Sequence, residues 1–481
     1  MKPFQLFLLC LSLPLALRGQ PATQSIPILI INHVTVIDAT TSSPKLDMSV
    51  VIMGDRIRSI TPYSHARRAA NAVVVDARGK FLIAGLWDMH VHSLSQGQPD
   101  RFFPLFVANG VTGIRDLGGD ISLEHIARLK KETSEGSRLG PEIYAAGPIL
   151  EGEHRFWPFS LSVKDPAEAH RAVSELTNGG ADFLKVYNTL SRETYLAIAS
   201  EAKAARIPFV GHIPNSVTPA EASDLGQKSI EHLWGIPLYL SSEPEQLKKM
   251  SAEADNADDP KTARDLFYKV NQAILASYDS KKADALFEKF VHNSTWQTPT
   301  LVVLRSYASI HNPRLREDPR NAYIADDLRK FWESTGGVPD LRNDDIQLRL
   351  FAHDIEIVRA MHSFGVPLLA GTDTPNPYTY PGFSLHEELQ LLVSAGLSPR
   401  EALRTATLRA AEFLGIQRDF GSVETGKVAN LVLLDANPAD DIRNTEKIRA
   451  VILRGKFLSR EALEELLENE KRSLPGQKTR R

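Results

Sequence analysis

Eight short apolar runs recur between residues 81 and 374, most of them separated by helix-length stretches. No other feature constrains the fold as much. The runs are "FLIAGLWDMH", "GVTGIRDLGG", "PEIYAAGPIL", "ADFLKVY", "IPFVGH", "KSIEHL", "TWQTPTLVVL" and "VPLLAGTD". Strand-like runs alternating with helical patterns signal βα units and a parallel sheet. Eight such units predict an α/β fold, a (β/α)₈ TIM barrel over residues 81–415. Two polar, charged stretches near 241–290 and 306–350 break the spacing and are expected as helical insertions. "SPREALRTATLRAAEFLG" carries helix punctuation, with Ser398 as N-cap, Pro399 at the first turn and Gly415 past the end.

The chain ends have another texture. "PILIINHVTVIDAT", "MSVVIMGDRIRSI" and "NAVVVDARGKFLIAG" are β-branched, and similar runs return in "NLVLLDA" and "IRAVILRGKFL". Residues 25–80 and 416–460 are therefore predicted to combine in one small β-sandwich domain, with 461–481 as a C-terminal helix and tail. Residues 1–20 read as a secretory signal peptide: Lys2, then an apolar stretch too short to span a bilayer. The only cysteine, Cys10, lies inside it. The mature chain is thus expected to be periplasmic or secreted, without a disulfide or a stable membrane anchor. Lys plus Arg number 56 against 59 Asp plus Glu, a net charge of −3, which gives no footprint for nucleic acid. Oligomeric state is left open.

The chemistry lies where the runs end. His90 and His92, His212, His232 and Asp373 all fall at the C-terminal ends of predicted strands, and those ends converge on one face of a barrel. Residues i and i+2 of a strand share a side, so His90 and His92 can reach one cation. A single such histidine is ordinarily a hydrogen-bonded core residue, but five imidazole and carboxylate groups together form a metal-ligand set suited to Zn²⁺. Lys185 stands among them. In "ADFLKVYN" it shares a face with Phe183 and Tyr187, and a buried ammonium there is costly. It either pairs with a carboxylate such as Asp182 or Glu151, or reacts with CO₂ to give a carbamate.

"FLIAGLWDMHVH", "GVTGIRDLGG", "GADFLKVY", "VGHIP", "SIEHLWG", "LLAGTD", "AGLSPREALRTATLRAAEFLG" and "GSVETGKVANLVLLDANP" together resemble the amidohydrolase superfamily. They are most similar to its imidazolonepropionase-like group, which contains Xaa-Pro dipeptidases (prolidases). The resemblance spans roughly residues 28–457. It implies that His90, His92 and Asp373 bind a first Zn²⁺, that His212 and His232 bind a second, and that N6-carboxylated Lys185 bridges both. A water between two such cations becomes a nucleophile near neutral pH, with Asp373 taking its proton. The implied activity is hydrolysis of amide bonds in a small molecule or dipeptide, of the Xaa-Pro or N-acyl/aryl-acyl amino acid type. The alternative is a cyclic amide or lactone hydrolase, or a mononuclear deaminase, on the same fold.

Tyr187 is a candidate substrate contact, as is His154 in "EGEHRFWPF", although the glycine-rich turn usual in relatives is missing there. Arg155 is a weaker candidate. Trp296, His386 and Asp88 are expected to support the site from behind. Asn430 replaces the aspartate usual in "GKxADL" and lies in the terminal β region, where no catalytic effect is expected.

Overall fold

The computed structural model describes residues 26–38, 40, 43–66, 71–95, 97–335 and 344–474. The signal-peptide reading of residues 1–20 and the tail beyond 474 lie outside the described residues. Among those described, no helix is long and apolar enough to cross a membrane.

Short parallel strands carry the central region, with Leu150–Glu151 and Leu161–Ser162 as two-residue additions beside Leu184–Val186. Leu86–Val91, Val111–Asp116 and Glu142–Ala145 pair parallel in that order. Leu184–Val186, Phe209–Gly211, Ser229–Glu231 and Trp296–Thr298 do the same. The amide of Asp182 donates to the carbonyl of Ala145 at 3.0 Å and links the two sets. On the other side runs the extended segment 366–374. It bridges Gln297 through Leu368 and Val91 through Thr374. The result is an α/β fold with a TIM-barrel-like domain.

Alternation along each strand sorts the side chains. Leu184 and Val186 face outward, into a large cluster with Phe103, Phe106, Tyr195 and Ile198 of the flanking helices. Phe183 faces inward and packs with Trp87, Met89, Val210 and Leu369. Lys185 follows the parity of Phe183 and is 1 % exposed. Gly113 is required by this packing, because a Cβ there would come within 2.3 Å of the Trp87 ring.

The two chain ends meet in one mixed sheet. Its order is Lys456–Ser459, Ile448–Leu453, Leu431–Leu434, Phe81–Ala84, Ile28–Val36, Lys45–Met53 and Arg56–Pro62, with Val73–Asp76 also paired to Ile28–Val36. Parity again divides the faces. Leu82, Leu431 and Leu433 join Val34 and Ile52 in a local core, while Ile83, Val432 and Val451 turn to the central domain's core.

Helices Pro244–Asp255, Pro260–Ala276 and Ser280–Asn293 stand between Ser229–Glu231 and Trp296–Thr298. Leu301–Ala308, Asp326–Thr335 and Asp344–Phe364 precede segment 366–374. The single helix expected over residues 399–414 is in fact two, Pro399–Thr405 and Leu408–Leu414. The Ser398 cap and the left-handed Gly415 stand at the outer ends. The break has a tertiary cause. The carbonyls of Ala406 and Thr405 accept from the amides of Trp87 and Ala370, at 2.7 and 3.4 Å, so strand backbone takes bonds that a continuous helix would use.

Candidate metal centre

His90 and His92 come from the end of Leu86–Val91. The pairing of that strand slips between Asp88 and Val91. Trp87 and Met89 point to the inner core, while His90, within the irregular stretch, and His92, beyond it, point to Asp373. A local irregularity that re-aims side chains beside a functional site is what a bulge provides. Segment 366–374 crosses close behind, since a Cβ at Gly371 would lie 2.8 Å from that of His90. Asp373 and His232 both adopt left-handed backbone, with φ of 59° and 57°. Such conformations cost roughly 1–3 kcal/mol each and persist where surrounding structure imposes them.

Asp373 is the hub. Its Oδ1 is 3.3 Å from Nε2 of His90 and 3.2 Å from Nε2 of His92. Its Oδ2 is 3.7 Å from Nε2 of His232. His90, His92 and Asp373 offer ligand atoms within 4.8 Å of one another, a metal-binding triad. The His212 ring lies 5.1 Å from that of His232, centroid to centroid. Tyr187 and Trp234 both stack on His212, at 4.2 and 4.4 Å. The six residues expected as ligands therefore occupy one neighbourhood.

Hydrogen bonds behind the imidazoles decide which nitrogens face inward. Nδ1 of His90 donates to Glu231 Oε2 at 2.9 Å, and Nδ1 of His92 donates to the carbonyl of Gly118 at 2.6 Å. Nδ1 of His232 is 2.6 Å from Oγ1 of Thr300. These bonds leave Nε2 of each ring directed at Asp373. Nε2 of His90, Nδ1 of His212 and Oδ1 of Asp373 are buried and make no hydrogen bond. Buried polar atoms are normally satisfied. Nε2 of His90 and Oδ1 of Asp373, both unsatisfied and 3.3 Å apart, fit a bound cation.

Burial, helped by neighbouring positive charge, holds His90 and His212 well below the usual imidazole range and brings His232 down to about 4. Neutral rings keep the lone pairs that a metal requires. His92 goes the other way: burial opposes protonation, but the carboxylate of Asp373 at 3.2 Å outweighs it. Burial pushes the Lys185 ammonium down to about 8, against the attraction of Glu231 and Asp373. Neither carboxylate suggested from sequence as its partner serves it. Asp182 pairs with Lys130 and accepts from the amide of Ala145, while Glu151 accepts from the amides of Phe156 and Trp157.

The support behind the ligands centres on Glu231 and Arg115, which the sequence reading missed. Both are fully buried. Arg115 Nη2 donates to both oxygens of Glu231 at 3.0 and 2.9 Å, and Nη1 donates to Ser229 at 3.0 Å. The available signal was an Arg and a Glu inside apolar strands, each expensive to bury without a partner. Asp88 accepts from the amide and hydroxyl of Thr372 at 3.0 and 2.7 Å, which ties the start of the ligand strand to the Asp373 turn.

Other candidates fall elsewhere. His154 is exposed and is not part of the cavity wall; Phe156 and Trp157 of the same loop are. Arg155 binds the carbonyls of Pro158 and Ser160 and shapes that loop. Tyr187 does line the cavity, its hydroxyl accepting from Nε1 of Trp157 at 3.2 Å. Trp296 packs on Phe413 at the inner core, and His386 bonds Asn109 and Thr445, so neither supports the ligands.

Fold and cluster together define a metal-site hydrolase architecture. Residues 294–458 match the amidohydrolase family. The chain is 24 % identical over 409 residues to imidazolonepropionase of Pseudomonas syringae pv. tomato, covering 82 % of this chain and 89 % of that one. Bottromycin amidohydrolase superposes with a TM-score of 0.72 at 21 % identity, over 95 % of each chain. A Xaa-Pro dipeptidase superposes with a TM-score of 0.63 at 20 % identity, over 90 % of this chain and all of the other. The chain is thus similar to the amidohydrolase superfamily, to its imidazolonepropionases in sequence and to its prolidases in fold. It is a hydrolase acting on carbon–nitrogen bonds.

Proposed function

We propose that the chain is an exported binuclear zinc amidohydrolase that cleaves open-chain amides, of the Xaa-Pro dipeptide or N-acyl/aryl-acyl amino acid type. The observation that carries this is the cluster of His90, His92 and Asp373, with His232 and His212 beside it and buried Lys185 lining the same cavity. His90, His92 and Asp373 would hold one Zn²⁺ and His212 and His232 the other, with carboxylated Lys185 between them. Two donor groups split across one carboxylate suit such a pair better than a single ion. When bound, Zn²⁺ would acidify water and polarise the scissile carbonyl.

The chain's own groups supply the remainder. Asp373, held ionised, despite its burial, by the nearby His232, His92 and Lys185, takes the proton of the attacking water and returns it to the leaving nitrogen. Glu231 keeps the Nε2 lone pair of His90 turned inward. Tyr187, kept protonated by burial, can donate its hydroxyl hydrogen to the developing oxyanion. The finer architectural reading is a closed (β/α)₈ barrel over 81–415, carrying a β-sandwich from residues 25–80 and 416–460. The lysine-led apolar N-terminus supports export to the periplasm or medium.

A second reading, cyclic amide hydrolysis, is favoured by the similarity to imidazolonepropionase. One experiment separates the two. The mature chain, loaded with Zn²⁺ and bicarbonate, is offered Xaa-Pro dipeptides, N-acyl amino acids and cyclic amides, and metal per chain is counted. Release from open-chain amides, lost in Lys185→Ala, supports the first reading. Ring opening alone, or one metal per chain, overturns it.

A further inference from the structure

The metal cluster does not sit in a pocket of dipeptide size. His92, Lys185, His212, His232 and Asp373 form the floor of one continuous cavity of about 1510 Å³. Pockets for drug-sized ligands span roughly 300–1,000 Å³. Tyr187, Trp157 and Trp234 make an aromatic collar above the floor. Beyond it the cavity opens between two helical walls, Pro244–Asp255 with Pro260–Ala276 and Asp326–Thr335 with Asp344–Phe364. Phe267, Ile274, Phe331 and Leu350 give this outer chamber a largely apolar surface.

Its charges are few. Among the described residues no arginine lines the cavity, Lys248 is the only lysine besides Lys185, and the helical walls add the carboxyls of Asp255 and Asp354. Lys248 is on the outer wall and already faces Glu245 at 3.3 Å. A dipeptide such as Gly-Pro has little apolar surface for this wall to cover. Bulky apolar groups, by contrast, meet a wall that keeps them from water.

The geometry points to a substrate class: amides with at least one large apolar flank, a medium-length acyl chain or a fused aromatic, lodged in the chamber between the two helical walls. This rests on the hydrolase reading of the same site and narrows it. The reaction is unchanged. The acyl carbon–nitrogen bond breaks, water supplies hydroxyl to the acyl carbon, and its proton goes to the leaving nitrogen. The chamber adds selection. Each methylene moved from water into apolar surroundings favours binding roughly fourfold.

The test uses the zinc-loaded mature chain and one amine, alanine, acylated with acetyl, butanoyl, octanoyl or naphthoyl groups, alongside Ala-Pro and Gly-Pro. The expected result is a kcat/KM at least tenfold higher for octanoyl- or naphthoyl-alanine than for acetyl-alanine and the dipeptides. Ser251→Trp, from the partly exposed chamber wall, should lower the bulky values at least fivefold and leave acetyl-alanine unchanged. Ala252→Trp replaces it if Ser251→Trp does not fold. Dipeptides preferred over every bulky amide, or a bulky preference that both tryptophan variants leave intact, would overturn the chamber's role and leave the hydrolase reading standing. No release from any open-chain amide by protein with its metals bound would overturn both.

Discussion

Nδ1 of His90 lies 2.9 Å from Oε2 of Glu231, and the same carboxylate is gripped by Arg115 at 2.9 and 3.0 Å. The whole relay is buried. It converts an ion pair in the protein interior into control over one imidazole, because a carboxylate can only accept and so fixes the proton on Nδ1.

Glu231→Gln therefore weakens metal binding without touching a ligand. Loss of such an outer partner ordinarily costs 10–100-fold in metal affinity, and that range is expected here. The variant also leaves Arg115 without its counter-charge, so Tm should fall. Chelator competition measures the first effect and thermal melts the second. Wild-type affinity in a folded Glu231→Gln protein would remove Glu231 from the site.

Asp373→Asn keeps the shape of the hub and removes its basicity. Metal should be retained at reduced affinity, while kcat drops by about 10²–10⁴, the usual contribution of a positioned base. Steady-state kinetics on metal-saturated protein decides this. Turnover close to wild type would assign the proton transfer elsewhere.

Lys185 titrates near 8 in the metal-free protein because burial disfavours its charge. Only the free amine adds CO₂, so carboxylation should accelerate as pH rises from about 7 to 9, well below the range for an exposed lysine. Metal-free protein incubated with carbon-13 bicarbonate should give a carbamate signal with that pH dependence. Lys185→Arg should give none. A signal that persists in Lys185→Arg, or one independent of pH, would refute the assignment.

Glu388 is buried at the start of the Leu301–Ala308 helix and accepts from the amide of Val302 at 2.8 Å. Burial raises its carboxyl from 4.5 to about 8. The folded state then binds the proton more tightly than the unfolded state, so this group's contribution to stability is greatest below about pH 4.5 and is lost as pH rises to about 8. Glu388→Gln keeps the acceptor and removes the charge. Its Tm should exceed that of wild type at pH 8, and the difference should shrink at pH 5. A lower Tm at pH 8 would mean that Glu388 is stabilised as the anion.

How much of this was legible beforehand differs from element to element. Phe183, Lys185 and Tyr187 alternate with Leu184 and Val186 in the sequence itself, and that parity passed directly into inner and outer faces. The parity argument for His90 and His92 did not anticipate that the strand's pairing slips between Asp88 and Val91, around His90 itself, although both rings do face Asp373. The helix expected through residues 399–414 failed at Ala406, whose carbonyl is taken by Trp87, more than 300 positions earlier in the chain. His154 was singled out for its chemistry, but its loop turns Phe156 and Trp157 to the cavity instead.

The sequence by itself determined the candidate ligand types, their places at strand ends and the parity that buries Lys185, because these depend on residue identity and a repeat of two. Only the tertiary structure decided what lies behind each ligand. Glu231 with Arg115, Asp88 with Thr372 and His232 with Thr300 join residues 68 to 284 positions apart. No local pattern encodes such pairings. They arise because a buried charge or imidazole must find its partner wherever the folded chain brings one, and the same closure sets the width of the cavity above the metal ligands.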